Sequence, residues 1–256
     1  MLKIILNGLK PQAEKIIAEK QASFTAERST TEHIYNLRIF CEKYLQHQQN
    51  LYHVLIAFNM AFDRVLHAAL WSIMQKHNIS ADPIRINKHL YKKATSAVLY
   101  SGNIGDWFRI TVGFRQGCLL SLTLFNVFLE RIMTDALEDH EGTVSTGCRT
   151  ITNLHFADNI DGLAGDEEDL AKLVERLNKA STAYGTEISA EKTKLMTNNT
   201  SSTNTDIKVN GQRLETVTSS KYLGSVITDE GSKPEILSRT AQKNSSTDKV
   251  ETSLDW

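Results

Sequence analysis

No CxxC pair and no histidine at zinc-finger spacing occurs in this sequence, and its three cysteines, Cys41, Cys118 and Cys148, stand far apart. An odd, scattered set argues against a disulfide framework or a structural zinc and for a reducing compartment. The expectation is an intracellular protein of the cytoplasm or nucleus, with no disulfide partner. Long apolar runs are missing too. The most apolar stretch, residues 119–129, is about half a membrane span and is broken by Ser121, Thr123 and Asn126, so no membrane partner is expected. Residues 1–10 are too short in apolar run and too basic at their end for a signal peptide. Net charge is also lacking: 29 Lys and Arg face 30 Asp and Glu, leaving −1 and no overall electrostatic case for binding nucleic acid. A nucleic-acid cleft needs only a local basic surface, and the densest one is Arg85, Lys88, His89, Lys92 and Lys93, which reads equally well as a solvated helix face. There is no internal repeat.

What remains is an ordinary globular composition, 41% hydrophobic and 23% charged, in 256 residues, enough for one large domain or two small ones. Ser29-Thr30-Thr31-Glu32 has capping-box spacing, with Ile34, Leu37, Cys41 and Leu45 following at helical intervals, which predicts a helix over about 30–45. Residues 51–58 form a continuous apolar run, the pattern of a buried strand. Ala61, Phe62, Val65, Ala69, Leu70 and Ile73 then switch to a helical period. Residues 97–100 and 107–112 read as a hairpin, and 124–137 as a helix apolar nearly all round. Asp166 caps a predicted helix with the stripe Leu170, Leu173, Val174 and Leu177. Asn210-Gly211 is a type I′ hairpin signal, and residues 222–228 read as one last strand. The polar tract 198–205 reads as a loop, and 230–256 as a divergent, disordered tail. Strands and helices mix without βαβ alternation, so the expected class is α+β.

Three motifs carry chemistry. Phe156-Ala157-Asp158-Asn159 lies between the apolar runs 151–154 and 160–163 and reads as a hairpin with an acid at its tip. Arg115-Gln116-Gly117-Cys118-Leu119-Leu120-Ser121 precedes it, and Ala57-Phe58-Asn59-Met60-Ala61-Phe62-Asp63 comes earlier still. In this order and spacing the three resemble the reverse transcriptase domain of non-LTR (LINE-type) retrotransposons. The resemblance covers about residues 3–240. It implies a polymerase palm, an antiparallel sheet backed by helices, with partial fingers (1–50 and about 80–112) and no thumb, over a domain of 1–229.

In that family two divalent ions, expected to be Mg²⁺, are held by carboxylates, and dNTPs extend a DNA primer on an RNA template. A hard cation needs oxygen ligands from several strands. The first-motif acid position is here Ala57; the hairpin supplies Asp158, but the second acid of the family's pair is Asn159. The resemblance therefore implies a truncated, degenerate copy with impaired catalysis. Its alternative is a non-catalytic nucleic-acid-binding remnant or an inert relic. Phe62 matches the residue beneath the incoming sugar, Gln116 and Gly117 the nucleotide-binding motif, and Arg28 the one remaining arginine of a phosphate-contacting motif. Phe62 reads equally well as a core residue. Lys192, in Glu191-Lys192-Thr193-Lys194, matches a lysine that approaches the departing pyrophosphate as general acid. Tyr222, Leu223 and Gly224 match the primer-contacting turn, for which strand packing is the plainer alternative. Asp63 and Asp161 are the nearest acids that could replace a lost ligand.

Overall fold

The structure is a computed structural model that describes residues 2–17, 29–115, 117–146, 149–198 and 205–229. Its first half runs α1 (Leu2–Ala13), α2 (Thr30–Gln46), β1 (Tyr52–Ile56), α3 (His67–Lys76), α4 (Ala81–Lys92), β2 (Thr95–Ser96), β3 (Leu99–Tyr100), β4 (Asn103–Ile104), β5 (Phe108–Arg109) and α5 (Leu119–Leu137). The second half runs β6 (Ser145–Thr146), β7 (Arg149–Thr150), β8 (Asn153–Phe156), β9 (Asn159–Ala164), α6 (Glu167–Ala183), β10 (Lys194–Thr197), β11 (Lys208–Val209), β12 (Gln212–Arg213), β13 (Glu215–Thr216), β14 (Ser219–Tyr222) and β15 (Ser225–Thr228).

Five strands form the central sheet in the order β13-β10-β1-β9-β8. All neighbours are antiparallel except β10 and β13. The middle strand, β1, is buried at every residue because both faces of the sheet are covered. On one face Val54, Ile56, Ile160 and Leu195 pack among Leu70, Leu124, Phe128 and Leu170 from α3, α5 and α6. On the other, Leu55, Leu163, Leu154 and Met196 meet Leu37, Phe40 and Cys41 of α2 and Tyr222 and Ile227 of the β14–β15 hairpin. Each such buried aliphatic side chain contributes about 1.5–3 kcal/mol relative to exposure. This is an α+β fold of the polymerase-palm kind.

Local chemistry explains the elements. Ser29 caps α2, its hydroxyl accepting from the Glu32 N–H at 3.2 Å, and Asp166 caps α6 in the same way from Asp169 at 2.8 Å. Helix α5 is apolar nearly all round because α1, α3 and α6 surround it. At Gly162 a Cβ would lie 2.9 Å from Leu173 Cδ2 and 3.0 Å from Val54 Cγ1, so the bare backbone of β9 lets α6 approach the sheet.

Three expectations need correction. The helical period from Ala61 becomes helix only at His67; residues 61–64 form a turn, held by hydrogen bonds from Gly113 N to Val65 O (2.8 Å) and from Phe114 N to Phe62 O (3.0 Å). The helix expected from residue 124 begins at Leu119. The single strand expected over 222–228 is the end of a hairpin, with Leu223 (φ 49°) and Gly224 (φ 82°) in its two-residue turn. The hairpin expected around 101–105 is present as two nested pairs, β3–β4 and β2–β5. The tail 230–256 and most of the tract 198–205 lie outside the described residues.

Two glycines at similar positive φ separate strain from space. At Gly113 (φ 78°) a Cβ would sit 2.7 Å from the Asp63 carbonyl oxygen, whereas at Gly117 (φ 73°) nothing lies within 4 Å. Both substitutions to alanine carry a left-handed backbone cost of about 1 kcal/mol. Gly113→Ala is expected to lower the thermal midpoint clearly more than Gly117→Ala. Equal losses by differential scanning calorimetry would refute the clash.

Candidate nucleotidyl-transfer site

One end of the sheet gathers the residues of the first and third motifs. Ile56 pairs with Ile160, and Phe156 with Asn159, so one further step along β1 brings Ala57 opposite Asn159. On its other flank Ala57 is held by the segment leading into β10: its carbonyl accepts from Ser189 N (2.8 Å) and its N–H donates to Thr193 Oγ1 (3.3 Å). Ala57 and Asp158 are half-buried, while Asn159 and Lys192 are exposed. Lys192 lies in the turn before β10 rather than on a strand, its N–H donating to Ser189 Oγ at 3.3 Å. Its neighbour Lys194 is engaged by the Glu191 carbonyl (2.7 Å) and by Glu215.

The Asp158 turn is a two-residue hairpin loop whose first residue, Ala157, has φ 53°. Glycine is the favoured residue at such a position, and alanine is the smallest side chain that accepts it at a cost of about 1 kcal/mol. Backbone strain is thus spent on lifting the one acid at the tip. Among the described residues, no group of three His, Cys, Asp or Glu side chains is placed to hold a metal ion.

Neither substitute acid reaches this point. Asp161 is fully buried in β9, 3.4 Å from His53 Nδ1. Burial pushes its carboxyl above the usual carboxylate range, opposed by His53. Asp63 is exposed on the turn after β1, beside the next cavity rather than at the strand end.

That cavity, about 480 Å³, brings two motifs together: Phe62 and Asp63 line it from one side, Gly117, Ser121 and Leu122 from the other. Phe62 is half-buried, stacked on Phe125 at 4.1 Å between centroids and edge-on to Phe114 at 6.3 Å. It therefore serves as packing and as cavity wall at once. Met60, 72% exposed, lines the same cavity with φ 49°, a strained conformation for a long side chain. Gln116 and Arg28, expected to contact nucleotide, lie outside the described residues.

The residues expected to form a primer-contacting turn, Tyr222, Leu223 and Gly224, sit against α2. Leu223 and Gly224 line a smaller cavity of about 310 Å³ with Thr31, Ile34 and Arg38, and Arg38 Nη2 donates to Ser225 Oγ at 2.7 Å. Tyr222 is buried, 3.1 Å from His33 Nε2 and 3.5 Å from the Asn159 carbonyl, so it ties α2 to the base of the acid-bearing turn. Burial and the nearby Asp161 raise its phenol well above the ordinary value. The His33 ring also lies edge-on to Phe156 at 6.3 Å. Burial, with His155 adding to it, lowers the His33 pKa to about 4. No sequence signal pointed to His33, whose partner is 189 residues away.

Residues 1–227 match the family described as reverse transcriptase (RNA-dependent DNA polymerase). The chain belongs to that family. Among solved structures, this reverse transcriptase domain is similar to a Candida tropicalis telomerase truncated of its C-terminal domain, at 17% identity and TM-score 0.64, covering 89% of this chain and 44% of that one. It is similar also to a Candida albicans telomerase solved with a TWJ fragment of telomeric RNA, at 12% identity and TM-score 0.65, covering 89% and 37%. The reverse transcriptase domain thus spans less than half the length of these telomerase chains, and at such identities the likeness speaks for the fold. No helix among its described residues is long and apolar enough to cross a membrane.

The depressed His33 pKa makes stability depend on pH. A histidine whose folded pKa lies below its unfolded 6.5 contributes stability that is present above pH 6.5 and lost as pH falls toward 4. Chemical denaturation of wild type against His33→Gln across that window is expected to show wild type losing on the order of 2 kcal/mol relative to the variant. A constant difference would remove His33 as the cause.

Proposed function

We propose that this chain is a reverse transcriptase palm, with partial fingers, of non-LTR (LINE-type) retrotransposon origin, in which nucleotidyl transfer is severely impaired. Residues 1–50 and about 80–112 are the fingers in this reading and the remainder of 1–229 the palm. RNA template, DNA primer and dNTP are the ligands for which the scaffold was shaped, in the cytoplasm or nucleus. Order and spacing of the three motifs support the retrotransposon assignment.

One observation carries the impairment. At the strand end where residues 57, 158 and 159 come together, Asp158 alone is a carboxylate. This donor set does not fit a pair of divalent ions. Two such ions bring four positive charges, which three carboxylates nearly balance and one does not. A unit charge about 4 Å away is worth about 4 kcal/mol at an effective dielectric of about 20. Water replaces part of each lost ligand, yet every ~1.4 kcal/mol added to the barrier costs tenfold in rate.

What the remaining residues can do is bind and orient. Phe62 and Gly117 shape a nucleotide-sized cavity, Tyr222 fixes the primer turn to α2, and exposed Lys192 offers a cation and a proton beside Ala57. The second reading, a binding remnant without catalysis, shares all of these features.

Primer extension on poly(rA)/oligo(dT) with Mg²⁺ or Mn²⁺ tests the reading. Wild type is expected to incorporate nothing above background. Ala57→Asp combined with Asn159→Asp is expected to restore incorporation that Asp158→Ala abolishes again. Wild-type incorporation lost on Asp158→Ala would overturn the proposal.

A further inference from the structure

The Asp158 turn stands where the sheet supports it least. Strand β8 is the sheet edge, and the pairing of β1 with β9 ends at Ile56 and Ile160, one step short of the closing pair Phe156–Asn159. At the tip Ala157 adds backbone strain, with φ 53°. Such strain persists only where surrounding contacts hold it.

Two side chains from the layer of α2 and the β14–β15 hairpin reach this point. The Tyr222 hydroxyl lies 3.1 Å from His33 Nε2 and 3.5 Å from the Asn159 carbonyl oxygen, and the His33 ring lies edge-on to Phe156 at 6.3 Å. Both residues of the closing pair are therefore touched. Tyr222 and His33 are buried, whereas Leu223 is half-buried and Gly224 exposed. A strand lying on this hairpin would meet Leu223 and Gly224 and not the Tyr222 hydroxyl.

The donors can be assigned. A carbonyl oxygen only accepts, so the single Tyr222 proton goes to Asn159 and the phenol oxygen accepts from His33 Nε2–H. Burial, with His155 adding to it, lowers the His33 pKa to about 4, which leaves the ring neutral with one N–H at ordinary pH. The plainer role for two buried rings is packing, and Tyr222 does belong to the smaller apolar cluster. Packing needs neither a hydroxyl nor a particular ring nitrogen, and it leaves the meeting of these three polar atoms unexplained.

We propose that His33 and Tyr222 are positioning residues for the Asp158 turn: His33 Nε2–H donates to the Tyr222 oxygen, and Tyr222 O–H donates to the Asn159 carbonyl and fixes the height of the acid above the sheet end. Tyr222 thus acts on the remaining acid and not on the primer. The proposal rests on the reverse transcriptase reading above for its catalytic consequence alone; the tether itself is a property of the wild-type chain.

Amide hydrogen exchange followed by NMR tests the tether in that chain. The Phe156 and Asn159 amides report the closing pair, and those of β1 report the sheet. Tyr222→Phe keeps the ring and removes the hydroxyl. It is expected to speed exchange at Phe156 and Asn159 about fivefold, the factor that one net hydrogen bond allows, with β1 unchanged. His33→Leu is expected to do the same, and His33→Gln, whose side-chain amide replaces the Nε2–H donor, to stay near wild type. Ring ¹⁵N shifts of His33 are expected to show the Nε2–H tautomer. Catalysis is read in the Ala57→Asp, Asn159→Asp background, where Tyr222→Phe is expected to lower kcat about fivefold at unchanged primer KM. Unchanged exchange at Phe156 and Asn159 would rule the tether out. Equal acceleration in β1 would do so too, by making the pair general packing, as would the Nδ1–H tautomer. A raised primer KM at unchanged kcat would make Tyr222 a primer contact and overturn its assigned role. A background that copies nothing counts against the proposed function alone, and the exchange rates then decide for or against the tether.

Discussion

Everything in this domain depends on β1 being trapped. The strand is hydrogen-bonded along both edges, to β9 and β10, and covered on both faces by apolar side chains. Slipping it by one residue would drive Val54 and Ile56 through the sheet and exchange the two cores, so its register is strongly specified. Residue 57 is therefore held beside the Asp158 turn whatever its side chain. The residues that set this geometry are Val54, Ile56 and Ile160, and none of them is a metal position. On the proposed reading, that is why the shape of a polymerase site persists where its ligands have gone. Clustered carboxylates repel one another when no cation lies between them, so on the proposed reading Ala57 and Asn159 relieve like-charge strain that an active site must carry.

A second set of contacts ties the two flanks of this end together. Tyr222 touches both His33 of α2 and the backbone at Asn159, and Arg38 reaches Ser225 across the same gap. The β14–β15 hairpin is thus packed as core on one side and open on the other. Behind it the Asp161–His53 pair lies within the smaller apolar cluster, where burial favours the neutral carboxyl. The nearby Cys41 thiol is pushed up to about 12 by the same desolvation, which makes it an unreactive packing group.

Much of the fold was legible where local chemistry acts alone. The Ser29 and Asp166 caps, the apolar stripe of α6 and the Asn210-Gly211 turn are short-range signals, and the structure realises each of them. Misreadings arose where a distant segment overrides the local pattern. The stretch around Phe62 has helical periodicity but is held as a turn by the backbone at Gly113 and Phe114, which sequence spacing cannot reveal. The Leu223 turn hides inside an apolar run because leucine at positive φ carries no turn signal. The candidate site was legible only through resemblance. The spacing of residues 57, 158 and 192 gives no hint of their meeting, and the contacts of His33 have no sequence signature.

Helix α5 carries a consequence of its own. Apolar around almost its whole perimeter, it is fully shielded only when α6 and the sheet join α1 and α3 around it, and α6 and most of the sheet follow it in the chain. During synthesis this segment leaves the ribosome before its cover is complete. For that interval the nascent polypeptide presents a greasy rod to the cell, and its fate then rests on chaperones and on the rate of elongation.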